Sequence, residues 1–394
     1  MTNREIFFRH LGLPSSKPLG IEIEKSEGIY LYDSSGKEYI DLVSGVSVSN
    51  IGHRHPKVIN AVKQQLDKYM HLMVYGEYIQ NPQVQLAKML AKNLPGNLDA
   101  VYFVNSGSEA IEGAIKLAKR YTGRTEITAF KDAYHGSTHG ALSVLGNESL
   151  KYAFRPLLPD IKFLKFNNFD DLKQISEKTA CVVSETVQAE AGIILPENNF
   201  LFELRKKCNQ TGTLLIIDDI QMGFGRTGKL FSFENFGFIP DILTLAKGMG
   251  GGMPIGAFIS SKEIMNTLTF KPEPGHITTF GGHPVCCAAA LANLQVLTES
   301  NLIAEAPAKG KTFRNELIGQ PKIKEIRQIG LMLGVDMESS DLMSRLLHIF
   351  VKSGLITDRF LFRHQSFRIA PPLTISKKEI EKTLGLIRKS LNEL

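Results

Sequence analysis

Three stretches of the chain end apolar runs in residues able to do chemistry. DILTLA (241–246) runs into Lys247 and then GMGGGMP. A lysine closing an apolar strand is expensive to bury as a cation, so its pKa falls and its amine becomes a candidate nucleophile for a Schiff base. A lysine that snorkels to the surface satisfies the same pattern. TLLIID (213–218) ends in Asp218-Asp219-Ile220-Gln221. A buried carboxylate there needs a partner, and it can equally be a metal ligand, a cap or part of a loop turn. AVYFV (100–104) ends in Asn105-Ser106-Gly107-Ser108-Glu109, where a helix begins. Small residues at a helix start leave backbone N–H groups free to hold an anion such as a phosphate. Simple N-capping by Ser106 or Ser108 fits as well.

What these residues can do depends on the elements that position them. From residue 100, short apolar runs (100–104, 127–130, 181–187, 213–218, 241–246, 255–260) alternate with amphipathic stretches such as 109–121 and 200–210. Strands buried on both faces and joined by helices predict a mostly parallel sheet in an α/β domain. Earlier, GIYLYD (28–33) and KEYIDL (37–42) flank Ser34-Ser35-Gly36, a hairpin signal. Helical spacing follows over 55–70 and from about 82 to 94. After about 285 the pattern is helical (288–300, 306–318), and an amphipathic helix closes the chain (376–393). The expected division is a large domain over 51–285, with 1–50 and 286–394 forming a smaller α+β one. Ligands of open parallel sheets bind at the carboxyl ends of the strands. A phosphate-ready helix start, a carboxylate and a nucleophilic lysine on one such edge are what pyridoxal 5′-phosphate requires. Its phosphate needs the anion site, its pyridine nitrogen an acidic partner and its aldehyde the amine.

Composition narrows the alternatives. Lysine plus arginine (46) against aspartate plus glutamate (40) leaves +6 over 394 residues, too little to indicate nucleic acid as a partner. Charged residues at 22% and apolar ones at 43% are ordinary for a globular protein. The four cysteines (181, 208, 286, 287) form no CxxC pair, so neither a disulfide scaffold nor a zinc site is expected. No apolar run is long enough for a membrane span and the N-terminus carries no secretion signal, so a cytoplasmic setting is expected. Gly223–Lys229 (GFGRTGK) fits the start of a P-loop, but Leu230 stands where a magnesium-binding hydroxyl belongs. The glycines at 248–252 do not fit GxGxxG, no HExxH occurs, and His53 and His55 read as structural. No metal site is expected.

The motifs resemble those of the class III (ω-amino acid) aminotransferases, pyridoxal-phosphate enzymes of fold type I, with the acetylornithine, ornithine and 4-aminobutyrate branch nearest. The resemblance covers nearly the whole chain: 31–58, NSGSEAIEGAIKLAK (105–119), YHGSTHGALS (134–143), ETVQAEAGI (185–193), IIDDIQMGFGRTGKLF (216–231), LAKGMGGGMPIGA (245–257), TTFGGHPVCCAAALA (278–292) and FRIAPPL (367–373). It implies that Lys247 binds the cofactor aldehyde and Asp218 pairs with the pyridinium nitrogen. Gln221 would bond near the ring O3′, Gly107 and Ser108 would bind the phosphate, and Tyr134 would stack on the ring. Glu185 falls among the cofactor-binding positions. Thr279 would reach the phosphate of a neighbouring subunit, which implies a homodimer with shared sites. Arg368 would grip a substrate carboxylate, and Glu190 would cover that arginine while an ω-amine donor binds. The implied reaction moves an amino group from an ω-amine donor (acetylornithine, ornithine or 4-aminobutyrate in type) to a 2-oxo acid, with 2-oxoglutarate expected, by ping-pong chemistry.

Five positions depart from the family pattern. Ser137 replaces an arginine that binds substrate carboxylate, and Val46 stands where ornithine-specific enzymes place an aromatic residue. Asp219 replaces a usual Glu, Thr186 a usual Pro and His283 a usual Asn. Two other readings compete: an aminomutase of the glutamate-1-semialdehyde type, and a non-catalytic binding protein. Glu190 with Arg368 argues against the first, and the retained Lys247 and Asp218 argue against the second.

Overall fold

The computed structural model describes residues 1–394. Strands β1 (Ile23–Glu27), β2 (Tyr30–Asp33) and β3 (Glu38–Asp41) form an antiparallel meander containing the expected hairpin, with Tyr30 opposite Ile40 and Gly36 turning at φ +83°. Asp33 Oδ1 accepts from the Ser35 and Lys37 N–H groups at 3.0 and 2.9 Å, which closes the turn. The middle of the chain supplies β4 (Ala100–Val104), β5 (Glu126–Phe130), β6 (Ile161–Leu164), β7 (Thr179–Glu185), β8 (Leu214–Asp218), β9 (Ile242–Leu245) and β10 (Gly256–Ser260). The last part supplies β11 (Ile323–Ile329), β12 (Met332–Met337), β13 (Leu355–Ile356) and β14 (Ser366–Ile369).

The central sheet has the order β4-β10-β9-β8-β7-β5-β6. Its pairs are parallel except those of β10, which runs antiparallel to both β4 and β9. Two reversals restore direction, so β4 ends on the same edge as β9, β8, β7 and β5. All residues of β7 and β8 are buried. Alternate side chains enter opposite cores: Cys181, Val183 and Ile216 pack on one face, Val182, Leu215 and Ile217 on the other. That period-two division explains why these segments read as unbroken apolar runs.

Six of the seven central strands stand where the apolar runs lie. The seventh, β6, has the short and half-exposed sequence IKFL and gives little signal. The helix Gly107–Thr122 lies directly on the sheet because Gly113 has no side chain; a Cβ there would stand 2.2 Å from Phe258 Cε1. The two ends of the chain meet where β13 pairs in parallel with β3, and β11, β12 and β14 of the last part form an antiparallel sheet of their own. The closing helix Lys377–Asn392 begins with a Ser376/Glu379 capping box. No helix is long and apolar enough to cross a membrane.

Candidate active site

Strand register sets out the site. Glu185 closes β7 opposite Asp218, which closes β8 opposite Thr244 of β9, three residues before Lys247. Together with the turn after β4 and the segment after β5, these ends surround a cavity of about 420 Å³. Its lining includes Ser106, Gly107, Ser108, Tyr134, Asp218 and Lys247, with Glu185 and Gln221 also exposed to it. Seven of the eight expected cofactor positions therefore meet in one place. Thr279 does not line this cavity; it lies on the exposed outer surface of the same chain.

At one end of the cavity the 16-residue helix Gly107–Thr122 presents its N-terminus. Ser106 Oγ caps it by accepting from Glu109 N at 3.2 Å, so the capping reading of that serine holds. The N–H groups of Gly107 and Ser108 open the helix and have no carbonyl one turn back to bond. Gly136 packs against this corner at φ +133°, and a Cβ there would stand 2.2 Å from Ser108 Oγ. Only glycine admits both that backbone and that contact.

At the other end, the buried Asp218 is fixed on both oxygens. His135 Nδ1 lies 2.7 Å from Oδ2, and Ile220 N donates to Oδ1 at 3.0 Å. A carboxylate only accepts, so Nδ1 is the protonated nitrogen of the histidine. His135 Nε2 is buried without a partner. This histidine has no assigned part in the sequence reading; its one signal is its place in YHG directly after a strand. Glu185 accepts from Ala189 N at 3.0 Å and Tyr134 N at 3.4 Å. Burial, then the neighbouring Asp218, pushes its carboxyl well above the usual carboxylate range.

Lys247 follows β9 with a left-handed backbone, φ +43°. Such a conformation in a bulky residue is strained and is held by its surroundings. Burial pulls its ammonium below the ordinary lysine value, although Glu190 and Asp218 oppose the shift. Its side chain lines the cavity.

Glu190 and Arg368 meet as an ion pair, with Arg368 Nη2 donating to Oε1 at 2.9 Å. Gln221 donates to the same Oε1 at 3.1 Å and accepts from Arg368 Nη1, so it is tied to this pair while also lining the cavity. Burial lowers the Arg368 pKa, but Glu190 and Asp358 more than offset it and the net shift is upward. Glu190 is held below its ordinary value by Arg368 and Gln221 against the upward pull of its own burial.

Other positions have structural parts. His53 bonds to Asp41 at 2.9 Å, and His55 Nδ1 accepts from Lys57 N at 3.3 Å. GFGRTGK forms turns rather than a helix start, and its Arg226 is fully buried, bonded to the carbonyls of Leu331 and Pro371 and to Asn50. Asp219 accepts from the Ser232 N–H at 2.9 Å and from its hydroxyl. Ser137 Oγ lies 3.1 Å from the Tyr134 hydroxyl. Val46 lies in a run of left-handed residues, Ser44–Ser47, at φ +64°. No group of three or more His, Cys, Asp or Glu side chains is placed to hold a metal.

The donor set fits pyridoxal 5′-phosphate: paired helix-start N–H groups for a phosphate, a rigid carboxylate for a ring nitrogen, and a depressed amine for an aldehyde. The family model of aminotransferase class-III matches residues 13–391. An acetylornithine aminotransferase of Methanopyrus kandleri is 38% identical over 99% of both chains. A [LysW]-aminoadipate semialdehyde/glutamate semialdehyde transaminase of Sulfurisphaera tokodaii is 36% identical over 95% of both. Among solved structures, ornithine aminotransferase of Toxoplasma gondii ME49 superposes with a TM-score of 0.91 at 29% identity, covering 100% of this chain and 96% of that one. A transaminase of the marine bacterium Virgibacillus superposes at 0.93 with 28% identity, over 99% and 98%.

Proposed function

The chain belongs to the class III aminotransferases and uses pyridoxal 5′-phosphate, and from that premise we propose that it moves the ω-amino group of an amino-acid donor to a 2-oxo acid, 2-oxoglutarate by preference. The observation that carries this reading is the Glu190–Arg368 pair beside a cavity that also holds Lys247 and Asp218. When bound, the cofactor supplies an electron sink for a carbanion next to nitrogen.

The chain's own residues do the rest. Gly107 and Ser108 would hold the phosphate through their N–H groups, and Asp218, held in place by His135, would keep the ring nitrogen protonated. Tyr134 would lie against the ring, and Lys247 would hold the aldehyde through its amine. Its free Nζ would take the proton from the donor carbon and deliver it to the cofactor carbon that bears the transferred nitrogen. Arg368 recognises the carboxylate of the 2-oxo acid by a bidentate contact. With an ω-amine donor, Glu190 stays on Arg368, so the α-carboxylate finds no free cation there and the distal amine is the end that reaches Lys247. The relatives that act on acetylornithine and on [LysW]-linked semialdehydes support this choice of donor.

We further propose a homodimer. Leu66, Met70, Tyr78, Ile79, Ile277 and Phe280 are each exposed, as is Thr279, and Ile79 is 95% exposed; Tyr78 and Thr278 line one groove, and His71 packs on Phe280. An apolar surface of that extent supports a subunit interface, with Thr279 directed to the partner's phosphate. Four free, buried cysteines suit a reducing cytoplasm.

A half-reaction screen tests the function. N-acetylornithine, ornithine and 4-aminobutyrate are mixed singly with holoenzyme, and loss of the lysine-bound cofactor band is followed. One of them should convert the cofactor to its amine form, and 2-oxoglutarate should reverse the change. Conversion by α-amino donors alone would contradict the proposal.

A further inference from the structure

Arg368 carries a second carboxylate. Asp358 Oδ1 accepts from its Nε at 2.9 Å, the one guanidinium nitrogen that neither Glu190 nor Gln221 uses. The backbone makes this contact rigid. Arg368 N donates to Asp358 O at 3.1 Å, and the Thr357 hydroxyl donates to Arg368 O, so Asp358 and the residue before it are bound to the strand that carries the arginine. The Phe360 ring lies against the guanidinium, its centroid 4.7 Å from Cζ. Directly after Phe360 the segment turns to Glu190: Leu361 N donates to Glu190 Oε2 at 3.1 Å, and Phe362 N to the Glu190 carbonyl at 3.0 Å. One short segment, 358–362, therefore grips both members of the pair.

The two carboxylates differ in accessibility. The Glu190 side chain is 6% exposed and Asp358 is 39% exposed, while Arg368 is at 1%. Glu190 shares its edge of the arginine with Gln221, beside the cavity. Asp358 approaches from the solvent side and does not line that cavity. A buried guanidinium left with no carboxylate would be costly, and it would reorient to find one. We propose that Asp358 is a positioning residue that holds Arg368 by Nε throughout turnover, so that Glu190 and a substrate carboxylate exchange on the Nη groups without the arginine moving. This rests on Arg368 being the carboxylate site of the proposed function. It adds that the site is built by two anions, one exchangeable and one fixed.

Glutarate tests it, because it has the two carboxylates of 2-oxoglutarate and no oxo group to react. Its Kd for cofactor-loaded enzyme is measured by calorimetry, alongside KM and kcat for 2-oxoglutarate. Asp358→Ala should raise the glutarate Kd by about tenfold or more, as loss of a buried ion-pair partner does. Its KM for 2-oxoglutarate should rise more than its kcat falls. Asp358→Asn keeps an acceptor for Nε and should return Kd to within about threefold of wild type. If Asp358→Ala does not fold, Asp358→Gln, which displaces the acceptor by one methylene, takes its place with the same expected weakening. Glutarate binding that is unchanged or tighter in the disruptive variant would overturn the proposal, since Asp358 would then be a bystander or only a competing anion. An Asp358→Asn variant as weak as Asp358→Ala would overturn it too, as charge rather than position would be at work. Wild type that does not bind glutarate would instead count against Arg368 as the carboxylate site.

Discussion

At the scale of single residues, the site sets burial against neighbouring charge. Burial pulls the Lys247 ammonium below its ordinary value, Glu190 and Arg368 hold each other charged against burial, and Asp218 is fixed from two sides. Asp218→Asn keeps a hydrogen-bonding group but removes the charge, and kcat should fall by about 10²-fold or more. A kcat within severalfold of wild type would contradict the role given to it. Glu190→Ala should improve α-amino donors relative to ω-amino donors, measured as the ratio of kcat/KM values; an unchanged ratio would show that Glu190 does not govern donor choice. Asp219 offers a test of electrostatics away from the chemistry. Burial pushes its carboxyl up to about 7, with the two bonds from Ser232 pulling the other way. The unfolded value is about 3.9, so between about pH 4 and pH 7 the folded state keeps a proton that the unfolded state has lost. Stability from this group is present in full below that window and is lost as pH rises through it. Asp219→Asn should flatten the loss, so its Tm at pH 8 relative to pH 5 should exceed that of wild type. The same pH dependence in both proteins would contradict the assignment.

At the scale of elements, the helix that begins at Gly107 is held over the sheet by one missing side chain. Gly113→Ala would press a Cβ against Phe258, and overpacking of this kind costs about 1–3 kcal/mol. Chemical denaturation should show that loss, together with weaker cofactor retention, because the helix start moves with the helix. Full stability in Gly113→Ala would mean that Phe258 simply turns away. The strands that carry the site were legible because β7, β8 and β9 are buried throughout and mostly apolar, and end in Glu185, Asp218 and the residues leading to Lys247. Strand β6 was not, since its residues are short of burial and alternate with charge. His135 and Asp358 were missed for a different reason. Each acts through a partner 83 or 10 positions away, and no local spacing reports such a contact. Gln221 was placed at the cavity by its motif, but its bonds to Glu190 and Arg368 became visible only with the fold.

At the scale of the molecule, one sheet edge gathers residues from five chain segments, while Arg368 and its partner Asp358 come from β14 and the segment before it. The site thus depends on both parts of the chain staying in register. The exposed apolar surface around Ile79 and Phe280 sets a further requirement. Ile79→Glu should shift sedimentation towards the monomer and reduce activity with it; a monomeric enzyme of full activity would contradict the shared site. If the Lys247 amine holds the cofactor aldehyde, the bond can be trapped directly. Holoenzyme reduced with borohydride, digested and sequenced by mass spectrometry should carry the reduced cofactor on Lys247 alone, and Lys247→Ala should carry none. A label on a different lysine, or an active enzyme in which Lys247 stays unmodified, would contradict the account.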